Sequence, residues 1–154
     1  MNQALEQFAS YIGLEEPEHE RLRLAFGHAC ITRIEQLLEE PEVINCVRVL
    51  GEYVNGTADE ASFRRAQKDA EQLANRHRGS KSIDGCGHAA VSASYAVANA
   101  INDKALQAAS YAAYATVYAA GGYGAVADAE AFEPEFRWQL NMLRELASQT
   151  QSRA

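Results

Sequence analysis

At 154 residues and a net charge of -7, the chain is long enough to bury a core without disulfides. It is also too acidic for general nucleic-acid binding, which needs a basic field. Alanine is over-used, above all between Ala89 and Ala131, proline occurs only at Pro17, Pro41 and Pro134, and β-branched runs are few, a balance that excludes a sheet-based fold and favours helices.

In chain order, residues 2–12 read as a short helix through Leu5, Phe8, Ala9 and Ile12, stopped at Gly13. Pro17 sits where a first helical turn tolerates proline, with Glu15, Glu16, Glu18 and Glu20 at the dipole end that favours acids. The helix that follows carries Leu22, Phe26, Ala29 and Cys30 on one stripe and Leu24, Ile31, Ile34 and Leu38 beside it, a face wide enough to predict nearly complete burial. Pro41, preceded by Glu39 and Glu40 and followed by Glu42, opens the next helix, with Val43, Val47, Leu50 and Val54 at core spacing and Asn55-Gly56 as its stop. Thr57 or Asp59 caps a surface helix. Its inner face is Phe63, Ala66, Ala70, Leu73 and His77, and its outer face is Arg64, Arg65, Lys68, Asp69, Glu71, Gln72 and Arg76.

Residues 83–101 are small and apolar on every side, the mark of a central helix. Asn102-Asp103 breaks it, and residues 104–120 form its partner, with Tyr111, Tyr114 and Tyr118 on one face. Gly121-Gly122-Tyr123-Gly124 ends that helix. Pro134 opens the last one, with Phe136, Leu140, Leu143 and Ala147 as its core stripe and Trp138 and Met142 alongside. The short connections predict one all-α domain over residues 1–154, an Ala-rich antiparallel bundle of six to seven helices.

The start of the chain shows neither a basic n-region nor an apolar h-region, no stretch reaches the roughly 20 apolar residues of a membrane span, and Cys30, Cys46 and Cys86 are odd in number. A cytoplasmic protein with reduced thiols and no membrane partner is the expectation.

Catalytic and metal constellations are weak. His28-Ala29-Cys30 and Cys86-Gly87-His88 pair a thiol with an imidazole, but residues two apart on a helix point to different faces. Glu16-Pro17-Glu18-His19 is the one Glu-x-x-His, where a di-iron site needs two. No nucleophile–base pair or phosphate-binding loop can be named, so no enzyme, metal or cofactor is expected. The basic stretch Arg64, Arg65, Lys68, Arg76, Arg78 and Lys81 is interrupted by Asp69 and Glu71 and lacks aromatic platforms, so it reads as a solvated face. The tyrosine row reads first as filling space left by the alanines, with hydroxyls at the surface, and second as a binding surface; Trp138 is core lid or binding anchor.

The segment Leu22-Arg23-Leu24-Ala25-Phe26-Gly27-His28-Ala29-Cys30-Ile31, then Pro41 and Glu52-Tyr53-Val54-Asn55-Gly56, then Phe63-Arg64-Arg65-Ala66 follow one another in an order that resembles a known family. So do Gly85-Cys86-Gly87-His88-Ala89-Ala90-Val91 with the Ala-rich stretch to Tyr111-Ala112, and finally Glu135-Phe136-Arg137-Trp138-Gln139-Leu140. This pattern, from about residue 20 to residue 146, is similar to the all-α immunity proteins of bacterial polymorphic toxin systems, the fifth numbered family of such proteins. Two departures stand out: Tyr95 and Asn99 occupy positions where the family tends to place histidines, and Asn45-Cys46-Val47-Arg48 is less arginine-rich than its counterpart.

The resemblance implies a protein that binds and silences a cognate toxin without turnover. A nuclease-type toxin with a basic surface suits the charge of this chain, because residues 1–60 hold 4 basic against 12 acidic groups. The expected contact residues are Glu15, Glu16, Glu18 and Glu20, Glu39, Glu40 and Glu42, and Tyr111, Tyr114 and Tyr118. The alternative is a helical scaffold that forms a homodimer or holds a partner or small ligand beside the Tyr-rich hairpin. A third reading is a metal-dependent enzyme built on His28, Cys30, Cys86 and His88.

Overall fold

The computed structural model describes residues 2–76 and 86–152, and among them there are seven α-helices and no strands. The order is α1 (Gln3–Ile12), α2 (Glu20–Arg33), α3 (Pro41–Val54), α4 (Glu60–Arg76), α5 (Cys86–Ile101), α6 (Ala105–Gly121) and α7 (Glu133–Ser152). This is the all-α bundle that the alanine content and short connections predict. No described helix is long and apolar enough to cross a membrane.

The helix starts follow from proline and side-chain caps. Proline lacks the N–H that a first turn leaves unpaired anyway, so Pro41 stands in the first turn of α3, and Pro17 opens a 3-10 turn, Pro17–His19, that runs into α2. Asn2 caps α1 by accepting from the Leu5 N–H, and Asp59 accepts from the Ser62 N–H ahead of α4. Of the two candidate caps for α4, Asp59 is the one used. Helix α2 stops at Arg33, earlier than its apolar pattern suggests. A 3-10 turn, Glu35–Leu37, follows, and buried Leu38 is reached through extended backbone.

Helices α5 and α6 form the central hairpin. Ala93, Ala96, Ala100, Ala108, Ala112 and Ala115 are fully buried, and side chains this small let the two backbones approach closely. Helix α2 packs across both, with Phe26, Cys30 and Ile31 buried completely. Helix α3 runs antiparallel to α2, and Arg21 Nη2 at the start of α2 donates to the Val54 carbonyl at the end of α3, 2.6 Å away. Helix α4 presents Phe63, Ala66, Ala70 and Ala74 inward and its charged residues outward, as its pattern predicts. His77, Arg78, Lys81 and Ile83–Gly85 lie outside the described residues.

Helix α7 departs from its predicted stripe. Leu143 and Ala147 are buried, but Phe136 and Leu140 are only half-buried, and Glu135 and Gln139 occupy the buried line instead. Polar groups persist there because each is bonded. Gln139 Nε2 donates to the Ala109 carbonyl at 2.8 Å, and both Glu135 oxygens accept from Arg33 Nε at 2.9–3.0 Å. Arg33 also covers the Trp138 ring, 4.4 Å from its centroid, so Trp138 is half-buried beneath an intramolecular cation.

Candidate functional site

Tyr111, Tyr114 and Tyr118 share one face of α6. Tyr111 is 39% exposed and Tyr114 41% exposed, and Tyr118 is half-buried. The rings do not fill space between the alanines. Contact between the small faces of α5 and α6 leaves no room there, so the tyrosines lie outside the alanine core. Each is instead held by another ring. Tyr111 stacks on Tyr95 of α5 at 5.4 Å, and Tyr118 stacks on His88 at 5.2 Å. Tyr114 leans on Tyr118 at 6.3 Å and meets Phe132 edge-on at 5.1 Å, and Phe132 contacts Phe136 at 5.4 Å. A side chain fixed in this way loses little freedom when a partner lands on it.

The acidic residues fall into two places. Glu15, Glu16, Glu18 and Glu20 precede or begin α2, whereas Glu39, Glu40 and Glu42 sit beyond its other end. The 14 residues of α2 separate them by about 20 Å at 1.5 Å per residue. All are exposed except half-buried Glu40.

Two sets of hollows receive some of them. One hollow, of 510 Å³, is bordered by Glu6, Glu15, Leu106, Tyr114 and Phe136, and a second, of 570 Å³, shares Asn2, Ser110, Tyr114 and Phe136 with it and adds Glu133 and Arg137. The other place is a groove of 730 Å³ between α3 and α4, where Glu40, Glu42, Asp69 and Arg76 rim a floor that includes Cys46 and Leu73. The structure therefore brings Glu15 and Tyr114 together and joins Glu40 and Glu42 to α4. Glu16, Glu18, Glu20, Glu39, Tyr111 and Tyr118 line none of these three hollows. Asn2, Glu6, Ser110 and Phe136 escape a sequence reading because the trough they build joins three segments far apart in the chain.

The His/Cys residues have separate surroundings. His28 lies over Gly51 of α3, so close that a Cβ added at Gly51 would stand 2.8 Å from Nε2. His88 stacks on α6, and the Cys86 side chain lies outside the described ones. Among the described residues, no group of three His, Cys, Asp or Glu side chains is placed to hold a metal.

Burial pushes the Cys30 thiol far above its ordinary range, with nearby Glu135 adding to the shift. Burial likewise pushes Cys46 up to about 11, and its Sγ donates to the Ala66 carbonyl at 3.7 Å. Reactive cysteines need accessible thiolate. Iodoacetamide at pH 8 is therefore expected to leave Cys30 and Cys46 unlabelled in the native protein and to label both in urea, as peptide mass mapping would read. Native labelling of Cys46 at the denatured rate would reopen the α3–α4 groove as a thiol site.

Desolvation holds the His28 imidazole below its ordinary value, opposed in part by Glu35. A depressed histidine is neutral in the fold where the unfolded chain would protonate. The unfolded state then takes up more protons as pH falls below about 6.5, and stability drops until the folded ring also protonates. Urea midpoints are expected to fall through that window, and a His28→Gln variant should flatten the slope there. An unchanged slope would assign the acid sensitivity elsewhere.

On the basic helix α4, Arg64 pairs with Glu60 at 3.2 Å and with Gln67, while Arg65, Lys68 and Arg76 face solvent. That is the solvated face its composition suggests.

Compared with known proteins, the chain finds no matching family model, no matching curated protein and no matching solved structure.

Proposed function

We propose that this protein is a non-catalytic inhibitor that binds a bacterial toxin and masks its active surface, as the resemblance to immunity proteins implies. The observation that supports it best is the tyrosine row: two large side chains about 40% exposed and locked by ring stacking. Energetic anchors at protein interfaces are commonly rigid aromatic side chains of this kind. The surplus of exposed carboxylates supplies the second element, a field that steers a basic partner into contact.

The test is capture from the source organism with tagged protein at low and at high salt, followed by co-expression with the captured enzyme. Growth rescue by the wild-type chain is the expected result. Tyr111→Ala/Tyr114→Ala should weaken the complex on the order of 100-fold, since two anchors are removed, with the helical circular dichroism unchanged. Wild-type affinity in that double variant would remove the tyrosine row from the contact. Failure of the wild-type chain to neutralise any captured enzyme would remove the inhibitor reading.

The same row supports a second reading, a self-associating scaffold, because exposed aromatic surface is also what a symmetric dimer buries. Sedimentation velocity separates the two: a stable dimer dispersed by the Tyr111→Ala/Tyr114→Ala change would favour the scaffold.

A further inference from the structure

We infer that the trough between the start of α1, the middle of α6 and the start of α7 receives an extended, arginine-bearing segment of a protein partner. This deepens the inhibitor reading and rests on it. The trough's two hollows, of 510 and 570 Å³, adjoin, because they share Asn2, Ser110, Tyr114 and Phe136. Hollows of this size have room to bury a group as large as an arginine side chain.

Its charge selects the occupant. Glu6, Glu15 and Glu133 stand against Arg137, and none of these four forms an ion pair with a described residue. The cation whose field reaches Glu15 is Arg23, and that guanidinium is already held by Asp103 in a two-pronged contact at 2.9 and 3.0 Å. The three carboxylates are thus free to accept from outside. Tyr114 adds an exposed ring at the junction of the hollows. A guanidinium suits this combination better than an ammonium ion, since it stacks on an aromatic face while its edge donates to carboxylates. Exposed Ser110 supplies a hydroxyl that hydrogen-bonds a passing backbone, while the Asn2 side chain is held within the fold by the Leu5 N–H, the Phe136 carbonyl and Gln139. The groove between α3 and α4 has a similar charge balance and a larger volume, but its lining includes no aromatic ring, and it serves as the competing location in the test.

The experiment titrates the isotopically labelled full chain with a short acetylated oligoarginine peptide, and in parallel with oligolysine, while amide shifts are followed. Shifts centred on Asn2, Ser110, Tyr114 and Phe136, stronger with arginine than with lysine, are expected. Glu6→Gln/Glu15→Gln/Glu133→Gln should weaken the arginine peptide about tenfold, and Glu35→Gln/Glu71→Gln/Glu145→Gln, with the same change in charge placed elsewhere, by less than about twofold. Tyr114→Leu should erase the preference for arginine over lysine while the fold stays intact.

Shifts centred on the groove between α3 and α4, equal losses in the two triple variants, or no saturable binding would each overturn the inference. So would a dimer that Tyr114→Leu disperses, because the occupant would then be a second copy. If a toxin is neutralised with undiminished affinity by the first triple variant, the trough is not the contact and the inhibitor reading stands. If the peptide docks in the trough but no toxin is neutralised, the trough stands and the inhibitor reading falls.

Discussion

Replacing Arg23 by methionine is expected to cost about 3 kcal/mol of unfolding free energy, at the lower end for breaking a buried ion pair from one side. The Arg23 side chain is 8% exposed, and it joins three segments at once. Nε and Nη2 donate to the two oxygens of Asp103 at 2.9 and 3.0 Å, and Nη1 donates to the Leu14 and Glu16 carbonyls, each at 2.7 Å. Asp103 turns the chain between α5 and α6 with φ of 66°, so this one side chain pins α2, the segment before it and the central hairpin together. Methionine keeps most of the apolar stem and removes every donor. Asp103 is 32% exposed and can take water, which keeps the cost from the upper end of the range. Asp103→Asn keeps a side chain tolerated at positive φ and one acceptor, so about 1 kcal/mol is expected there. Urea unfolding followed by circular dichroism measures both. A loss below about 1 kcal/mol for Arg23→Met would mean that water replaces the guanidinium and that packing alone positions α2.

Local chemistry made the element order readable. Pro17 and Pro41 mark helix entries because a missing N–H costs nothing in a first turn, and α4 announces its two faces because its charges recur at helical spacing. The alanine run from Ala89 onward pointed to a central, closely packed helix, which α5 is. Less visible was any feature that depends on which residues meet across the bundle. Arg23 sits in the middle of an apolar segment and reads as an interruption until Asp103, eighty positions away, supplies its carboxylate. Glu135 and Gln139 look like the wet side of α7, yet they form its buried line because Arg33 and the Ala109 carbonyl wait opposite. The candidate surface was half legible for the same reason. Tyr111, Tyr114 and Tyr118 declare a shared face by spacing alone, but whether that face points in or out depends on how closely α5 and α6 approach. Glu15 meets Tyr114 only because α1 and the loop after it fold back against α6 and α7, which no local pattern encodes.

The close approach of α2 to α5 makes Gly27 the position where one added group should act furthest from its own site. Gly27 of α2 faces Ala100 of α5, and a Cβ built there would stand 3.1 Å from the Ala100 Cβ and 3.2 Å from its Cα. The obstacle is helix backbone, which cannot rotate aside as a side-chain tip can. Gly27→Ala gains about 1 kcal/mol of helix propensity and loses a similar amount to the tight contact, so a small net change is expected. Gly27→Val adds two more carbons with one preferred rotamer in a helix and is expected to cost about 3 kcal/mol, the upper end of overpacking. Ala100→Gly placed with Gly27→Ala should recover stability, since it removes the methyl that the new Cβ meets. The consequence reaches the tyrosine row, because Tyr111 and Tyr118 are held by Tyr95 and His88, both carried on α5. Displacing α5 should therefore weaken the near-ultraviolet circular dichroism of the tyrosines while helix content stays near its original level, and partner affinity should fall with it. Unchanged stability and an unchanged near-ultraviolet spectrum in Gly27→Val would mean that α2 shifts along α5 to make room, and that the rings are ordered by α6 and Phe132 instead.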